Sequence, residues 1–255
     1  MVRLLNSLST RLNSRSDARA IIESVIGCDA LLCRRAPTEG ELERVNAIAE
    51  RVLGGEMLAY VLGKTEFMSL PFYVNTDVLI PRQDTETLVE AVMGIAKGGE
   101  RILDLCCGSG CIAISLSKYI KGAHVTGADI SAAALDVARR NAALNGVDAE
   151  FVFMDVFGES YGEWDIIVSN PPYISSKELQ NLSVARHEPL IALCGGDDGL
   201  DFYRALTRTA KSSYLAMEIG YNQAEAVKAL CEKRYSNVEV IRDYLGNDRV
   251  IIASH

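Results

Sequence analysis

The sequence predicts an α/β protein in which a Rossmann-like, doubly wound sheet follows a small all-α domain and a β-hairpin. Three observations predict this fold. Apolar residues recur at helix spacing through roughly the first sixty positions, short apolar runs alternate with amphipathic helical segments after residue 100, and acidic or amide side chains stand where four successive apolar runs end. Such alternation is typical of a largely parallel sheet, which binds ligands at the carboxyl ends of its strands.

The first part of the chain, residues 1–62, is predicted to be a bundle of short amphipathic helices. Leu5, Leu8 and Leu12 show the apolar spacing of three or four residues that places side chains on one helix face. The following residues contain two short β-prone runs separated by a proline break, which predicts a hairpin. The predicted domains are a helical domain at 1–62, a hairpin linker at 63–80 and a catalytic domain at 81–255.

The remainder of the chain alternates regularly between predicted strands and predicted helices. Strands are predicted near 102–105, 123–128, 150–154, 165–169, 214–219, 238–241 and 250–252. Helices are predicted over 85–95, from 111, and over 131–145, 199–211 and 222–234, with Ser131 as an N-cap.

Length and charge limit the possible functions. A chain of 255 residues can form one large α/β domain or two smaller ones. No apolar stretch approaches the roughly 20 residues that cross a bilayer, and the first residues lack the apolar core of a signal peptide, so we expect a cytoplasmic protein without a membrane partner. Residues 1–63 carry as many arginines as acids, so the net charge of −8 falls on the remainder, which predicts poor binding to nucleic-acid phosphates.

Seven cysteines are present, and none of them forms a C-x-x-C pair. This odd number predicts free thiols in a reducing compartment. Cys106, Cys107 and Cys111 lie close together in the sequence, but no fourth ligand stands nearby. We therefore expect no metal site.

A glycine-containing loop joins the first strand of the sheet to the next helix, and Gly108 and Gly110 would let its backbone approach a ligand closely. The run from Gly108 to Ala113 also satisfies a dinucleotide pattern, so a nicotinamide cofactor is an alternative. The Asp104 carboxylate favours S-adenosylmethionine, because it can face the cationic amino group of that cofactor but would repel a pyrophosphate. The predicted cofactor residues of the loop are Asp104, Cys106, Cys107, Gly108, Ser109 and Gly110.

Two more acids follow the next two strands. Asp129 ends the second strand, beside Ile130, and its carboxylate can accept both hydroxyls of a ribose in either cofactor. Asp155 ends the third strand and can accept from an adenine amine, with Val156 and Phe157 giving apolar contact. Each acid alone could equally be a strand-end or helix-capping carboxylate. Because strand ends of a doubly wound sheet converge on one crevice, the acids together predict a cofactor site.

The tetrapeptide Asn170-Pro171-Pro172-Tyr173 follows the fourth strand. The Asn170 side-chain oxygen and the Pro171 carbonyl can accept the two protons of a planar nitrogen, and both acceptors gain strength as positive charge develops on that nitrogen. The two prolines fix the backbone and lack N–H donors, while Tyr173 offers a flat face for stacking. The four residues therefore predict the catalytic site of an amino-methyltransferase with S-adenosylhomocysteine as product, although a proline-rich turn is an alternative. Asn170 is also expected to border the cofactor.

Along nearly its whole length the chain resembles the HemK/PrmC family of release factor glutamine N5-methyltransferases. The matching segments are AYVLG at 59–63, EF at 66–67, LIPRQDTE at 79–86, ADIS at 128–131, NPPY at 170–173, HEP at 187–189, GGDDGL at 195–200 and EIG at 218–220. The chain departs from the family pattern, which usually has Gly-Thr at Cys106-Cys107 and Pro at Gln83 and Met57.

The resemblance implies methyl transfer from S-adenosylmethionine to the glutamine amide in the Gly-Gly-Gln tripeptide of a release factor. It also implies that the helical domain helps to engage this protein partner. Asn170 and Pro171 would hold the glutamine amide, and Tyr173 would pack against it. Residues 106–110, Asp129 and the Asp155-Val156 pair would line the cofactor. His187-Glu188-Pro189 is interpreted as an anchor for the segment after the acceptor loop, because methyl transfer to an amide needs no strong base.

Three other functions are compatible with parts of the sequence. A nucleic-acid amino-methyltransferase acting on adenine N6 or guanine N2 could use the same tetrapeptide on a flipped base, but the acidic catalytic region lacks a basic recognition segment. An NAD-dependent oxidoreductase would leave residues 170–173 unexplained. A non-catalytic binding module is disfavoured because both loops are intact. We expect a monomer whose partner is a release factor, with no nucleic-acid substrate.

Overall fold

A computed structural model of the chain describes residues 1–182 and 187–255. The chain separates into two compact units, an N-terminal unit at Met1–Lys64 and a C-terminal unit at Thr65–His255. The division into three segments with boundaries at 62 and 80 stays a prediction. No helix within the described ranges is long and apolar enough to cross a membrane.

The N-terminal unit is helical, as its apolar spacing predicts. Its helices are α1 (Val2–Leu12), α2 (Arg15–Ile26), α3 (Glu39–Leu53) and α4 (Leu58–Leu62). Local chemistry sets the starts of two of them: the Ser14 hydroxyl accepts from the N–H of Asp17, and Thr38 forms a capping box with Glu41. The apolar faces of α1, α2 and α3 meet in one cluster whose members include the fully buried Leu5, Ile21, Ile22 and Val45.

The expectation that all seven cysteines are free thiols is wrong for two of them. Cys28 and Cys33 form a disulfide, with their Cα atoms 5.9 Å apart. A turn after α2 explains the pairing: the Asp29 side chain accepts from the N–H groups of Leu31 and Leu32, and the Cys33 N–H donates to the Asp29 carbonyl at 2.9 Å. A five-residue separation thereby gains the short Cα distance that a disulfide requires.

The predicted hairpin is present as a two-stranded sheet of β1 (Lys64–Phe67) and β2 (Leu70–Tyr73). The two residues between the strands, Met68 and Ser69, have φ values of 50° and 58°. Left-handed conformations at both positions match the turns that join two strands through a two-residue loop. Phe67 and Phe72 pack edge to face with ring centroids 6.2 Å apart and join the core of the C-terminal unit.

The C-terminal unit contains a seven-stranded sheet in the order β5-β4-β3-β6-β7-β9-β8. Its strands are β3 (Arg101–Leu105), β4 (His124–Asp129), β5 (Glu150–Phe153), β6 (Trp164–Ser169), β7 (Ser212–Glu218), β8 (Asn237–Arg242) and β9 (Asp248–Ser254). Strands β3 to β7 are parallel, and β9 is antiparallel to both β7 and β8. The predicted doubly wound sheet is therefore confirmed, and its order reverses between β3 and β6, where such folds bind ligands.

Helices cover both faces of the sheet. They are α5 (Gln83–Ile95), α6 (Cys111–Tyr119), α7 (Ala132–Asn145), α8 (Ser176–Leu179), α9 (Asp201–Thr209) and α10 (Ala224–Cys231), with a 3₁₀ turn at Leu190–Ala192. Successive residues of β3 point to opposite faces, so Ile102 packs in the cluster that contains α5, α6 and α7, whereas Leu103 packs with α9 and α10. Packing on β4 is so close that a Cβ atom at Gly127 would lie 2.7 Å from the Phe151 ring.

Candidate active site

A cavity of about 210 Å³ lies at the carboxyl ends of β3, β4, β5 and β6, where the strand order reverses. Its lining combines polar groups with apolar walls. The lining residues are Asp77, Val78, Leu79, Cys106, Gly108, Asp129, Ile130, Ser131, Ala134, Met154, Asp155, Val156, Phe157, Asn170, Pro172, Ile191, Ala192 and Phe202. The predicted strand-end residues Asp129, Asp155 and Asn170 thus border one cavity, which is what the convergence of parallel strand ends requires.

The glycine-containing loop contributes Cys106 and Gly108 to this cavity. Both have left-handed φ values, 62° and 52°, a conformation that residues with a Cβ rarely adopt. The Gly108 N–H donates to Asp129 Oδ2 at 2.9 Å, and the Cys107 N–H donates to the Ala128 carbonyl at 3.0 Å, so the loop is bonded to the end of β4. Cys107, Ser109 and Gly110 are buried and do not line the cavity.

Asp104 is fully buried and is likewise not part of the cavity wall. Its Oδ2 accepts from the N–H of Ala113 at 3.0 Å, near the start of α6, whereas Oδ1 has no hydrogen-bond partner among the described residues. Burial raises the pKa of Asp104 well above its usual range, and the N–H of Ala113 opposes that rise. Asp104 is therefore a buried carboxyl behind the loop, with one oxygen that no described group satisfies.

Asp129 and Asp155 give the cavity its exposed acceptors. Asp129 Oδ2 accepts from Gly108 and Oδ1 from the N–H of Ser131, each at 2.9 Å. Each carboxylate oxygen can accept a second hydrogen bond, so Asp129 can still bind a pair of hydroxyls. Asp155 Oδ1 accepts from the N–H of Phe157 at 2.8 Å, and the Phe157 ring lies 4.9 Å from that of Phe202. Hydroxyl acceptors beside aromatic walls suit a nucleoside.

Asn170 connects this cavity to a smaller one of about 120 Å³. The smaller cavity is lined by Leu79, Arg82, Asn170, Pro171, Tyr173, Ile174, Ala192, Leu193 and Glu218. The Asn170 Nδ2 donates to the Thr85 hydroxyl at 3.1 Å, which leaves Oδ1 as an acceptor. The Pro171 carbonyl has no hydrogen-bond partner in the part of the chain that the structure describes. Two acceptors of the predicted catalytic tetrapeptide are thus available at the smaller cavity.

Tyr173 and Pro172 complete the placement of the tetrapeptide. Pro172 lines the larger cavity, and Tyr173 lines the smaller one. The Tyr173 hydroxyl donates to Glu218 Oε1 at 3.3 Å, and its carbonyl accepts from Gln223 at 2.9 Å. Burial and the adjacent Glu218 carboxyl raise the pKa of Tyr173 above its ordinary value, so it stays protonated. Tyr173 is therefore held at its hydroxyl and at its main chain, as a wall of the smaller cavity.

The interpretation of His187-Glu188-Pro189 as an anchor is confirmed. Glu188 is buried, its Oε1 accepts from the N–H of Ile80 at 3.0 Å, and its Oε2 pairs with Arg82. His187 is exposed and lines neither cavity. Glu188 therefore ties the segment after the acceptor loop to the segment before α5.

Sequence reasoning missed several residues of the site. Thr85 and Arg82 fall within the family-like segment at 79–86, and Glu218 falls within the one at 218–220. None of the three was assigned a role. Residues 77–78 and 191–192 line the larger cavity although no sequence pattern indicated them. Thr85 and Glu218 could have been found only by chemical reasoning. An asparagine that offers its oxygen to a ligand needs an acceptor for its NH₂ group. In residues 1–182 and 187–255, no cluster of His, Cys, Asp or Glu could hold a metal.

The sheet order, the cavity at its reversal point and the acceptor loop beside that cavity define a methyltransferase of Rossmann-like fold. Residues 83–187 match the model of the methyltransferase small domain family. The catalytic domain of hMettl16, solved with an RNA hairpin, superposes with a TM-score of 0.58 at 15% identity, over 77% of this chain and 81% of that one. At that identity the likeness concerns the fold alone.

Two relatives identify the family more closely. The release factor glutamine methyltransferase of Neisseria gonorrhoeae is 42% identical over 84% of this chain and 82% of its own length. The protein of the same name from Fusobacterium nucleatum is 43% identical over 77% of this chain, which spans 59% of that relative. The chain belongs to the release factor glutamine methyltransferase family, as its motifs predict.

Proposed function

We propose that this chain transfers a methyl group from S-adenosylmethionine to the side-chain amide nitrogen of the glutamine in the Gly-Gly-Gln tripeptide of translation release factors. The observation that carries the proposal is the position of Asn170, which borders both the larger, nucleoside-compatible cavity and the smaller one. An acceptor at that junction would face the amide nitrogen of a glutamine side chain that lies next to the cofactor. The names of the relatives support the choice of substrate.

The larger cavity fits the cofactor through three groups of residues. Asp129 would accept the ribose hydroxyls, and Asp155 would accept from the adenine amine beside Val156 and Phe157. Cys106 and Gly108 would bring their backbone close to the cofactor. When bound, S-adenosylmethionine supplies a methyl group activated by a positively charged sulfur.

The smaller cavity would position the acceptor. Asn170 Oδ1 and the Pro171 carbonyl would accept the two N–H groups of the glutamine amide and aim its nitrogen at the methyl carbon. As the N–C bond forms and the S–C bond breaks, positive charge develops on nitrogen, and both acceptors bind its protons more strongly. One of these protons then leaves to solvent. Tyr173 would keep the amide plane in position, because its hydroxyl is bound to Glu218 and its main-chain carbonyl to Gln223.

The remaining proposals concern the setting of the reaction. The N-terminal unit would help to engage the release factor. It contains four arginines, Arg3, Arg15, Arg34 and Arg44, that form no ion pair among the described residues. The chain would act as a monomer in the cytoplasm, where release factors work.

Arg82, the cation at the smaller cavity, is already paired with Glu188, so this wall offers little to a nucleic-acid backbone.

Mass spectrometry of an incubated release factor tests the proposal directly. The factor, its Gln-to-Ala tripeptide mutant and a nucleic acid are incubated in parallel with the protein and S-adenosylmethionine. One added methyl on the Gly-Gly-Gln peptide, absent from the mutant and from an Asn170→Ala reaction, is the expected result. Methylated nucleic acid beside an unmodified release factor would replace the proposal with the nucleic-acid alternative.

A further inference from the structure

A groove of about 280 Å³ adjoins the smaller cavity along the acceptor loop. Tyr173 and Ile174 line both of them, whereas the groove shares no lining residue with the larger cavity. Much of the groove is formed by the turn at 220–223, which follows β7, and by Arg249 on β9. The groove therefore begins at the tetrapeptide that would hold the acceptor amide and extends toward β9.

The strand order of the sheet determines where an acceptor polypeptide finds room. The larger cavity occupies the carboxyl ends of β3, β4, β5 and β6, and β7 and β9 follow next in the sheet. A bound cofactor would fill the first part of this edge. A polypeptide that places a glutamine in the smaller cavity therefore has its open path over β7 and β9, where the groove lies.

The groove is within reach of the residues next to the glutamine. Ser169 on β6 pairs with Met217 on β7, so Asn170 lies level with Glu218. Tyr221 is three residues beyond Glu218. With strands about 4.8 Å apart and residues about 3.3 Å apart, the Cα atoms of Tyr221 and Asn170 lie within roughly 11 Å of each other. An extended chain covers that distance in about three residues.

Tyr221 offers binding groups to this groove. Its side chain is 69% exposed, and neither its hydroxyl nor its main-chain N–H and carbonyl makes a hydrogen bond among the described residues. A single exposed tyrosine needs no explanation. An aromatic ring and an unbonded main chain beside a groove, however, are what an extended peptide can bind, through its own main chain and by packing against the ring.

The turn that carries Tyr221 is fixed to the acceptor loop by the side chain of Gln223. Its Nε2 donates to the Tyr173 carbonyl at 2.9 Å, and its Oε1 accepts from the Gly220 N–H at 3.0 Å. The Gln223 N–H also donates to the Gly220 carbonyl at 2.9 Å. A surface that is already ordered loses little freedom when it binds a partner, so this turn is suited to hold a peptide.

We propose that this groove is a substrate subsite that binds the Gly-Gly pair of the acceptor polypeptide, with Tyr221 as its main contact. The inference rests on the proposed function and adds a source of specificity to it. Because glycine has no side chain, the main chain of a Gly-Gly pair can approach the turn and the ring closely. Larger side chains next to the glutamine would be held away from both.

Steady-state kinetics on a release factor test the subsite. Tyr221→Ala should raise KM about tenfold, because an aromatic contact is lost in binding. Its kcat at saturation, and its calorimetric affinity for S-adenosylhomocysteine, should change less than about twofold. Tyr221→Phe should keep the wild-type KM, since the ring remains. An unchanged KM in Tyr221→Ala would overturn the inference.

Tyr119→Ala is the matched control. Tyr119 is 41% exposed and ends α6 shortly before β4 begins, so it lies at the opposite edge of the sheet. The control should keep the wild-type KM and kcat. An equal rise of KM in the two alanine variants would mean that Tyr221 does not contact the substrate.

A double-mutant cycle tests the placement of the glycines. In the release factor, valine replaces the glycine that precedes the glutamine. This change should raise KM about tenfold with the wild-type protein and much less with Tyr221→Ala, because the clash requires the ring, and residues in contact give coupled effects. Purely additive effects would overturn the placement of the glycines in the groove.

Photocrosslinking locates the contact without turnover. The photoreactive residue p-benzoylphenylalanine replaces Tyr221, or Tyr119 in the control, and is irradiated with unmethylated release factor and S-adenosylhomocysteine. Mass spectrometry should find crosslinks from position 221 to within about three residues of the glutamine, and none there from position 119. Crosslinks only to distant parts of the release factor, or no crosslinks, would overturn the subsite. Crosslinks at the tripeptide of a release factor that the protein never methylates would overturn the proposed function instead.

Discussion

Asn141 on α7 is hydrogen-bonded to both backbone groups of Tyr73 on the hairpin strand β2. Its Oδ1 accepts from the Tyr73 N–H at 2.7 Å, and its Nδ2 donates to the Tyr73 carbonyl at 3.0 Å. The same Nδ2 also donates to the Ser109 carbonyl at 2.9 Å. Because Asn141 is fully buried, one side chain joins the hairpin, a helix and the cofactor loop without help from solvent.

Replacing Asn141 with leucine should therefore destabilise the C-terminal unit and loosen the loop. The change keeps the size of the side chain but leaves one buried and two partly buried backbone groups without partners, at about 1–3 kcal/mol each when fully buried. We expect a loss of about 3 kcal/mol or more in the free energy of unfolding, read from the fluorescence of Trp164, the single tryptophan, on β6. Asn237→Leu, at an exposed strand position, is the control. Equal effects of the two changes would contradict the bracing role.

The order of helices and strands could be predicted because it depends on local periodicity and on turn residues. The acids at 129 and 155 and the amide at 170 were likewise predictable as neighbours, since parallel strands bring their carboxyl ends together. Element type and strand-end chemistry are properties of short windows of sequence.

Other features depend on partners far apart in the chain. Thr85 meets Asn170 across 85 residues, and Asn141 meets Tyr73 across 68, so no local pattern announces either pair. Asp104 was expected to face the cofactor directly, yet it lies behind the loop, because the N–H of Ala113 draws its carboxylate toward α6. Cys106 has a φ of 62° that its identity does not suggest.

Asn170→Ala should separate binding from turnover. The side chain borders the cofactor cavity, but its oxygen would act on the acceptor nitrogen, where a transition-state contact is worth about 10²-fold in kcat. We expect a loss of that order in kcat, with the dissociation constant for S-adenosylmethionine changed less than about threefold. Single-turnover kinetics and calorimetry measure the two quantities. Equal losses in both would contradict the assigned role.

Asp129→Ala should do the reverse and weaken cofactor binding. Loss of a charge-assisted contact to the ribose hydroxyls costs about 1.5–3 kcal/mol, or roughly 10- to 100-fold in the dissociation constant. The loop N–H of Gly108 also loses its acceptor, which adds to the effect. Asp148→Ala, an exposed acid outside the cavity, should leave calorimetric affinity unchanged. An Asp129→Ala protein with wild-type affinity would rule out this residue as the ribose acceptor.

Glu218→Gln should make stability less sensitive to pH. The pKa of Glu218 is about 7 in the folded protein against 4.5 in the unfolded chain, so the folded state favours the protonated form. The stability this provides is fully present below pH 4.5 and is lost as the pH rises through 7. The variant should therefore gain about 2–3 kcal/mol relative to wild type between pH 5 and pH 8.5. Denaturant titrations at the two pH values measure this difference, and parallel stability curves would contradict the raised pKa.

Gln83→Pro should stabilise the C-terminal unit. Gln83 is the first residue of α5, where proline is favoured, and its N–H makes no hydrogen bond among the described residues. The preceding Arg82 is already extended, with φ −104° and ψ 145°, as a residue before proline must be. A gain of about 0.4–1 kcal/mol is expected, because the unfolded chain loses freedom. Glu90→Pro, exposed in the same helix, should instead cost about 3 kcal/mol or more. Trp164 fluorescence would follow both, and a destabilised Gln83→Pro protein would show that α5 begins elsewhere.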